Sequence, residues 1–157
     1  MNLRVAEERD IERIGRMWEK LAMLHHDLDP VLPPAAMGGG RVYARRLIGR
    51  LNDPLTRIVV VEDEERLVGF ALAVIIDVIP DMFVQENSGL LADIFVEETH
   101  RRCGVGRLMV EDIKAWLKAN GVRCFEWHVA EKNPAGRKFW EAMGGERVMV
   151  RMRAGTG

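Results

Sequence analysis

The chain has 157 residues, of which 48% are hydrophobic and 30% are charged, and its formal net charge is -1. This length is typical of a single domain, and the near-neutral charge argues against nucleic acid as a main partner, because such binding depends on dense positive charge. The apolar runs are too short to cross a bilayer, the charged N-terminus is unlike a signal peptide, and the two cysteines form no metal or disulfide pattern, so we expect a cytoplasmic protein with no membrane partner and no metal.

The first part of the chain predicts a strand, a helix and a loop. Leu3–Ala6 is apolar enough for a short strand, and the acidic residues after it suit the positive end of a helix. From Ile11 to Leu28 apolar side chains recur every three or four residues, which predicts a helix with one core-facing stripe. Prolines and glycines then interrupt the pattern, so Leu28–Gly40 is expected to be a loop.

A second helix and a hairpin are expected next. Arg41–Leu51 has helical spacing, and its core-facing side chains are predicted to be Val42, Leu47, Ile48 and Leu51. The β-rich runs Arg57–Val61 and Leu67–Ile76 flank an acidic turn, which is typical of a β-hairpin. Val78–Ser88 is then expected to be a long connection lying over the sheet edge.

Strands and helices alternate in the second half of the chain. The segment Leu90–Val96 is apolar almost throughout, as expected for a strand in a sheet that is covered on both faces. Gly121 is placed to end the helix that follows in a left-handed conformation. In order, the predicted elements are a strand at Leu90–Val96, a helix from Val105, a strand at Arg123–Val129, a helix at Pro134–Met143 and a last strand at Glu146–Arg153. This alternation predicts a mixed α/β sheet covered by helices.

The stretch between the predicted strand and the helix from Val105 is suited to binding an anion. Gly104 and Gly106 allow a ligand to approach the backbone closely, and the first turn of a helix leaves its N–H groups unpaired at the positive end of the helix dipole. Arg101, Arg102 and Arg107 add fixed positive charge in a form that suits phosphate oxygens. We therefore expect a phosphate group at this turn.

These residues also resemble a known family. The strand Ile94-Phe-Val, the pattern Arg101-x-x-Gly104-x-Gly106 and the later Asn133, Gly136 and Trp140 resemble the GNAT superfamily of acetyl-CoA-dependent N-acetyltransferases. The resemblance covers most of the chain and implies one N-acetyltransferase domain over residues 1–157. It implies an α/β (α+β) fold whose mixed, mostly antiparallel sheet is splayed at its centre, with helices on both faces and a shortened C-terminal hairpin.

The resemblance also implies how acetyl-CoA is held. Backbone amides from Arg102 to Arg107 would bind the pyrophosphate, and the strand Ile94–Val96 would pair with the pantetheine amides through a free edge opened by a bulge near its end. Asn133 would tie its loop to the cofactor. The cofactor-binding residues predicted in this way are Ile94, Phe95, Val96, Arg101, Arg102, Cys103, Gly104, Val105, Gly106, Arg107, Asn133, Gly136 and Trp140.

The implied reaction is transfer of the acetyl group to a primary amine, of a small molecule or of a peptide, by direct attack in a ternary complex. The amine must lose a proton before it attacks, and the candidate proton acceptors are His128, Glu97, Glu98 and Asp93. His128 ranks first, because an imidazole accepts protons near neutral pH and some members of the family carry a catalytic glutamate at its strand position. Asp93, in an otherwise apolar strand, is also expected to face the acceptor amine or to anchor a neighbouring group.

The chain departs from the family at the residue that protonates the leaving thiolate. The family usually has tyrosine there, but this chain has Trp140, whose indole N–H donates a hydrogen bond without giving up its proton. The single tyrosine, Tyr43, is expected to be a packing residue, and Asp27 is a second candidate for attracting a cationic amine. These departures leave open a CoA-binding module with weak or no catalysis, and the short C-terminus leaves room for a homodimer that completes the acceptor wall.

Overall fold

Within residues 1–77 and 79–157, which the computed structural model describes, five strands form one mixed sheet in the order β1-β2-β3-β4-β5. Neighbouring strands are antiparallel, except that β4 and β5 run parallel. The strands are β1 (Asn2–Val5), β2 (Thr56–Asp63), β3 (Arg66–Ile76), β4 (Ser88–Val96) and β5 (Phe125–Glu126). The helices are α1 (Ile11–Leu28), α2 (Gly39–Ile48), α3 (Val105–Ala119) and α4 (Pro134–Ala142), with short 3-10 turns at Glu8–Asp10 and Glu98–His100.

Helices cover both faces of the sheet. The apolar stripe of α1 and Leu47 of α2 pack on one face, against side chains such as Phe70. The apolar face of α3 packs on the other, together with Trp140 of α4. This layering confirms the predicted α/β fold, since each face of a sheet needs an apolar cover.

The first helix, the hairpin and the end of the third helix follow the sequence predictions closely. β2 and β3 pair from Thr56 to Asp63 around a tight turn in which Glu64 and Glu65 have positive φ angles. Gly121 takes the left-handed conformation that was expected beyond the end of α3, with φ of 74°. Val78, the first residue of the predicted connection, lies outside the described residues.

The second helix differs from its prediction in both its start and its inward face. α2 begins at Gly39, inside the segment expected to be a loop, and its buried side is formed by Gly40 and Leu47 with Tyr43 partly buried. Val42 and Ile48, predicted to face the core, are exposed.

The reason for this early start is a close contact between α1 and α2. Gly15 of α1 lies against the backbone of Gly40, and a Cβ built on Gly15 would be 2.4 Å from the Gly40 carbonyl oxygen. The Gly40 N–H, left without a helical partner in the first turn, donates to Glu19 Oε1 of α1 at 2.8 Å. The glycines that suggested a loop are therefore the residues that let two helices touch.

We expect Gly15→Ala to destabilise the fold by about 1–3 kcal/mol, because the methyl group must push the backbone of α2 away and overpacking outweighs the better helix propensity of alanine. Chemical denaturation measures this change. Gly49→Ala is the matched control, since a Cβ at Gly49 has its nearest neighbour 3.9 Å away. Equal midpoints for the two variants would show that the helix contact is not tight.

The end of the chain forms less sheet than the sequence suggested. β5 contains only Phe125–Glu126 of the predicted strand Arg123–Val129, and the predicted last strand Glu146–Arg153 is wrong, because no strand is formed there among the described residues. Its apolar side chains, such as Val148 and Met149, are exposed. A strand requires a neighbour that offers backbone donors and acceptors, and β5 is too short to provide one.

Candidate active site

The fourth strand contains a bulge that reverses the direction of its side chains. Leu72 of β3 pairs with Asp93, but the next residue, Ala73, pairs with Leu91, so Ala92 is an extra residue in β4. As a result Leu91 packs beneath α3, whereas Asp93 faces α2 on the opposite side of the sheet. The bulge was predicted near the end of this strand, but it lies in its middle.

Beyond the bulge, β4 has one open edge. β5 pairs with β4 only at Gly89 and Leu90, so the described part of the chain offers no strand partner to Ala92–Val96 on that side. The Glu97 N–H donates to Val68 O of β3 at 2.8 Å, and backbone groups alternate in direction along a strand. The N–H groups of Val96 and Ile94 therefore point towards the open side, where an extended ligand could pair with them.

The turn after β4 leads directly into the N-terminus of α3. Gly104 has φ of 85°, a left-handed conformation that favours glycine, and Arg102 has φ of 61°. The first helical N–H that reaches a carbonyl is that of Leu108, which donates to Gly104 O at 2.9 Å. The N–H groups of the first helical turn, Val105–Arg107, have no helical acceptor, and their binding of an anion stays a prediction.

The three arginines of this turn differ in their surroundings. Arg101 Nε donates to Val96 O at 3.0 Å, and the Arg101 guanidinium lies 5.9 Å from the ring centre of Phe95, so this side chain braces the turn. Arg102 and Arg107 are exposed, and so is Cys103. Arg102 and Arg107 are thus the side chains best placed to supply charge for a bound anion.

Asn133 and Gly136, both predicted to bind the cofactor, are bonded to each other at the start of α4. The Gly136 N–H donates to Asn133 Oδ1 at 2.9 Å, so Asn133 is the N-cap of this helix, in front of Pro134 at its first position. Phe139 of α4 touches Gly106, where a Cβ would lie 3.2 Å from Phe139 Cζ. Asn133 therefore caps α4, and Phe139 packs this helix against the turn at Gly106. A contact between Asn133 and the cofactor stays a prediction.

The three residues predicted to be catalytic lie in different surroundings. Trp140 is buried, with its ring centre 4.4 Å from that of Trp127 and 4.8 Å from that of Phe139. His128 is exposed just beyond β5, and Glu97 accepts a hydrogen bond from Lys20 Nζ at 2.7 Å. Their catalytic roles stay predictions.

A second group of polar side chains meets on the face of β4 covered by α1 and α2. The Tyr43 hydroxyl donates to Asp93 Oδ2 at 2.8 Å, and the Tyr43 ring stacks on Trp18 with ring centres 5.0 Å apart. Burial, followed by the charge of Asp93, raises the pKa of Tyr43 well above its usual value, so the hydroxyl remains a donor. Burial also raises the pKa of Asp93, although the bond from Tyr43 opposes this effect.

Histidine 25 in the last turn of α1 lies close to this pair. Burial lowers the pKa of His25, and the charge of Asp93 opposes the change without reversing it. Asp27, predicted to attract the amine, is exposed nearby on the same helix end. Sequence reasoning singled out Asp93 as a charge in an apolar strand and Tyr43 as the single tyrosine, but no signal in the sequence joined them.

No group of three histidine, cysteine, aspartate or glutamate side chains is arranged to hold a metal ion in the part of the chain that the structure describes. In the same residues, no helix combines the length and the apolar character needed to cross a membrane.

Comparisons with known proteins agree with this geometry. The sequence model of the Acetyltransferase (GNAT) family matches residues 21–145. No curated protein matches the chain.

Solved structures share the whole fold. A point mutant of the BH1408 protein from Bacillus halodurans is 22% identical, with a TM-score of 0.87 and 99% of each chain covered. A predicted acetyltransferase from Clostridium acetobutylicum, solved with acetyl-CoA, is 15% identical with a TM-score of 0.78, covering 98% of this chain and 95% of that one. The aminoglycoside antibiotic 6'-N-acetyltransferase from Acinetobacter haemolyticus is 15% identical with a TM-score of 0.76, covering 100% of this chain and 99% of that one. At these identities the likeness shows the fold.

Proposed function

The chain belongs to the Acetyltransferase (GNAT) family, and from this membership we propose that residues 1–157 form one N-acetyltransferase domain that moves an acetyl group from acetyl-CoA to a primary amine. One observation carries the proposal: the open edge of β4 leads directly to the unpaired N–H groups at the start of α3. An extended amide chain that ends in phosphates matches both features, since the strand edge pairs with amides and the helix N-terminus binds phosphate.

The residues present fit acetyl-CoA. The backbone of Ile94, Phe95 and Val96 would pair with the pantetheine amides, and the amides of Arg102–Arg107 would hold the pyrophosphate. Arg101 would keep the turn in shape, because it already bonds Val96 O. When bound, acetyl-CoA supplies the acetyl group as an activated thioester.

The chain must also provide for loss of a proton from the acceptor. An alkylamine with a pKa near 10.4 is neutral at pH 7 in roughly one molecule in 2,500, so deprotonation costs about 4.6 kcal/mol. A positioned proton acceptor is valuable for such an amine, whereas an α-amino group near pKa 8 costs only about 1.4 kcal/mol. We propose His128 as this acceptor, with Glu97 second, and an N–H of the β4 edge near Val96 as the donor that polarises the thioester oxygen.

We expect His128→Ala to lower kcat/KM for an alkylamine about 100-fold or more, because the positioned group that accepts the proton of the amine is lost. Initial rates of thiol release at neutral pH measure this. Glu126→Gln is the matched control, since Glu126 is also exposed and lies two residues before His128. An unchanged kcat/KM in His128→Ala would remove His128 from the mechanism.

Trp140 stands where the family usually has the tyrosine that protonates the leaving thiolate. Its indole N–H can stabilise a thiolate by donating a hydrogen bond but cannot supply the proton. The proposed step is therefore departure of the thiolate with stabilisation by the Trp140 N–H or by water, followed by protonation from solvent.

The alternative is a CoA-binding module with weak or no catalysis, which Trp140 in the tyrosine position favours. A panel of amines separates the two: an aminoglycoside, a lysine-like alkylamine and a peptide with a free N-terminus, each assayed for thiol release with acetyl-CoA. Acetylation of any of them supports the enzyme. Binding of acetyl-CoA without turnover on any amine supports the alternative. The cytoplasmic location and the homodimer stay predictions.

A further inference from the structure

Asp93 is a carboxylate without a cation. It lies on β4 beside the bulge, next to Ala92, which is exposed even though it is in the middle of a strand. Two other carboxylates packed against the sheet do have a basic partner: Asp10 pairs with Arg4 and Asp112 pairs with Arg57. No salt bridge reaches Asp93 from the described residues, and carboxylates removed from water are normally paired.

The hydrogen bond from Tyr43 fixes one side of this carboxylate and leaves the other free. Tyr43 is held by the stack on Trp18 and by an edge contact with Phe70, whose ring centre is 6.3 Å away. Its hydroxyl bonds Asp93 Oδ2, and in the described part of the chain no hydrogen bond reaches Asp93 Oδ1. Tyr43 is therefore a positioning residue that holds the Asp93 carboxylate in a fixed orientation.

The neighbouring titratable groups do not neutralise Asp93 at neutral pH. On α1 the facing group is His25, whose pKa burial lowers, which favours its neutral form. On α2 the facing group is Tyr43. The charge of Arg50, which follows that helix, opposes the rise in the pKa of Tyr43. On β3 the partner of Asp93 is the apolar Leu72.

A carboxylate of this kind is unsuited to the amine that reacts. An ion pair stabilises the ammonium form and raises its pKa, whereas the attacking nitrogen must be neutral. The same ion pair is favourable for an ammonium group that keeps its charge throughout the reaction.

We propose that Asp93, positioned by Tyr43, binds a second, non-reacting ammonium group of the acceptor, so that the enzyme prefers diamines and polyamines to monoamines. The preference for diamines as substrates rests on the proposed function. Binding of an ammonium group at Asp93 can be tested without turnover.

The catalytic test compares putrescine, a diamine, with butylamine, a monoamine of the same carbon chain. A hydrogen-bonded charge pair lost from a partly buried site weakens binding about 10- to 100-fold. Asp93→Asn keeps an acceptor for Tyr43 but removes the charge, so KM for putrescine should rise by about 10-fold or more while KM for butylamine changes by less than about twofold. Equal effects on both amines, or no effect on either, would overturn the proposal.

The binding test uses calorimetric titration of the full chain with putrescine. The unsubstituted protein should bind putrescine more tightly than butylamine, and Asp93→Asn should abolish the difference. If this difference is found but neither these two amines nor any amine of the panel is acetylated, the ammonium-binding site stands and the proposed function fails. If acetylation occurs but putrescine and butylamine bind equally well, the proposed ammonium-binding site is wrong and the proposed function stands.

The pH dependence distinguishes positioning by Tyr43 from mere packing. Putrescine binding is present above the pKa of Asp93 and is lost as the carboxylate takes up a proton at lower pH. Tyr43→Phe keeps the ring but removes the bond that opposes the effect of burial, so the loss should move to higher pH. His25→Gln is the control for the other facing group and should preserve this shift. An unchanged midpoint in Tyr43→Phe would show that Tyr43 only packs.

Discussion

Replacing Arg102 and Arg107 together by glutamate is expected to weaken acetyl-CoA binding about 100-fold or more. Both side chains are exposed at the turn whose backbone amides face the proposed pyrophosphate site. Each charge-assisted contact with a phosphate contributes about 1.5–3 kcal/mol, and 1.4 kcal/mol corresponds to about a tenfold change in affinity. The exposure of both residues means that the fold should tolerate the change. Calorimetric titration measures the affinity, and circular dichroism checks the fold.

Arg45→Glu with Arg46→Glu is the matched control, because it makes the same change of charge at two exposed positions of α2. This control should bind acetyl-CoA within about threefold of the unsubstituted protein, as expected for distant charges screened by salt. A similar loss of affinity in both double variants would attribute the effect to net charge and would argue against a phosphate site at the turn.

Asp10→Ala is expected to destabilise the fold by about 3–5 kcal/mol, the usual result of breaking a buried ion pair on one side. Asp10 is 4% exposed and receives two bonds from Arg4, at 2.6 and 2.9 Å. It also accepts the Glu7 N–H at 2.8 Å, and Arg4 bonds Glu62 of β2 as well. Without Asp10, a largely buried guanidinium and a helix-entry N–H both lose a partner.

The effect of this substitution should depend on pH. Burial alone would raise the pKa of Asp10, but the bonds from Arg4 and the Glu7 N–H outweigh it, so the pKa is lowered. The stabilisation is therefore complete above the ordinary aspartate pKa of about 3.9 and is lost as pH falls through the lower folded value. Denaturation at neutral and acid pH measures this. Glu12→Ala, at an exposed pair with Arg16, is the control with a small expected effect. Equal losses for the two variants would contradict the role of burial.

The helices could be predicted where one apolar stripe determines the structure. α1 and α3 each bury a single face, so their periodicity was visible in the sequence, and the Asn-Pro pair at Asn133 marked the start of α4. The inward face of α2 was missed because a contact between Gly15 and Gly40 determines it. Such a contact joins residues far apart in sequence, and composition alone suggested a loop.

The site could be predicted only where it depends on residues that are close together in the sequence. The turn proposed to bind an anion is local, since the glycines, the arginines and the start of α3 lie within one stretch, so the position of the helix start could be predicted from the sequence. The bulge at Ala92 and the bond between Tyr43 and Asp93 are not local. The bulge depends on the register of two strands, and the bond joins α2 to β4 across 50 positions of the chain.

Calorimetric titration of the unsubstituted protein with acetyl-CoA tests the central claim most directly. The open edge of β4 and the free N–H groups of α3 predict saturable binding of one acetyl-CoA per chain, with a dissociation constant between about 1 μM and 1 mM, the range usual for enzyme substrates. Binding should weaken at high salt, because phosphates contribute to it. Absence of any binding heat at millimolar acetyl-CoA, with the fold intact, would contradict the account.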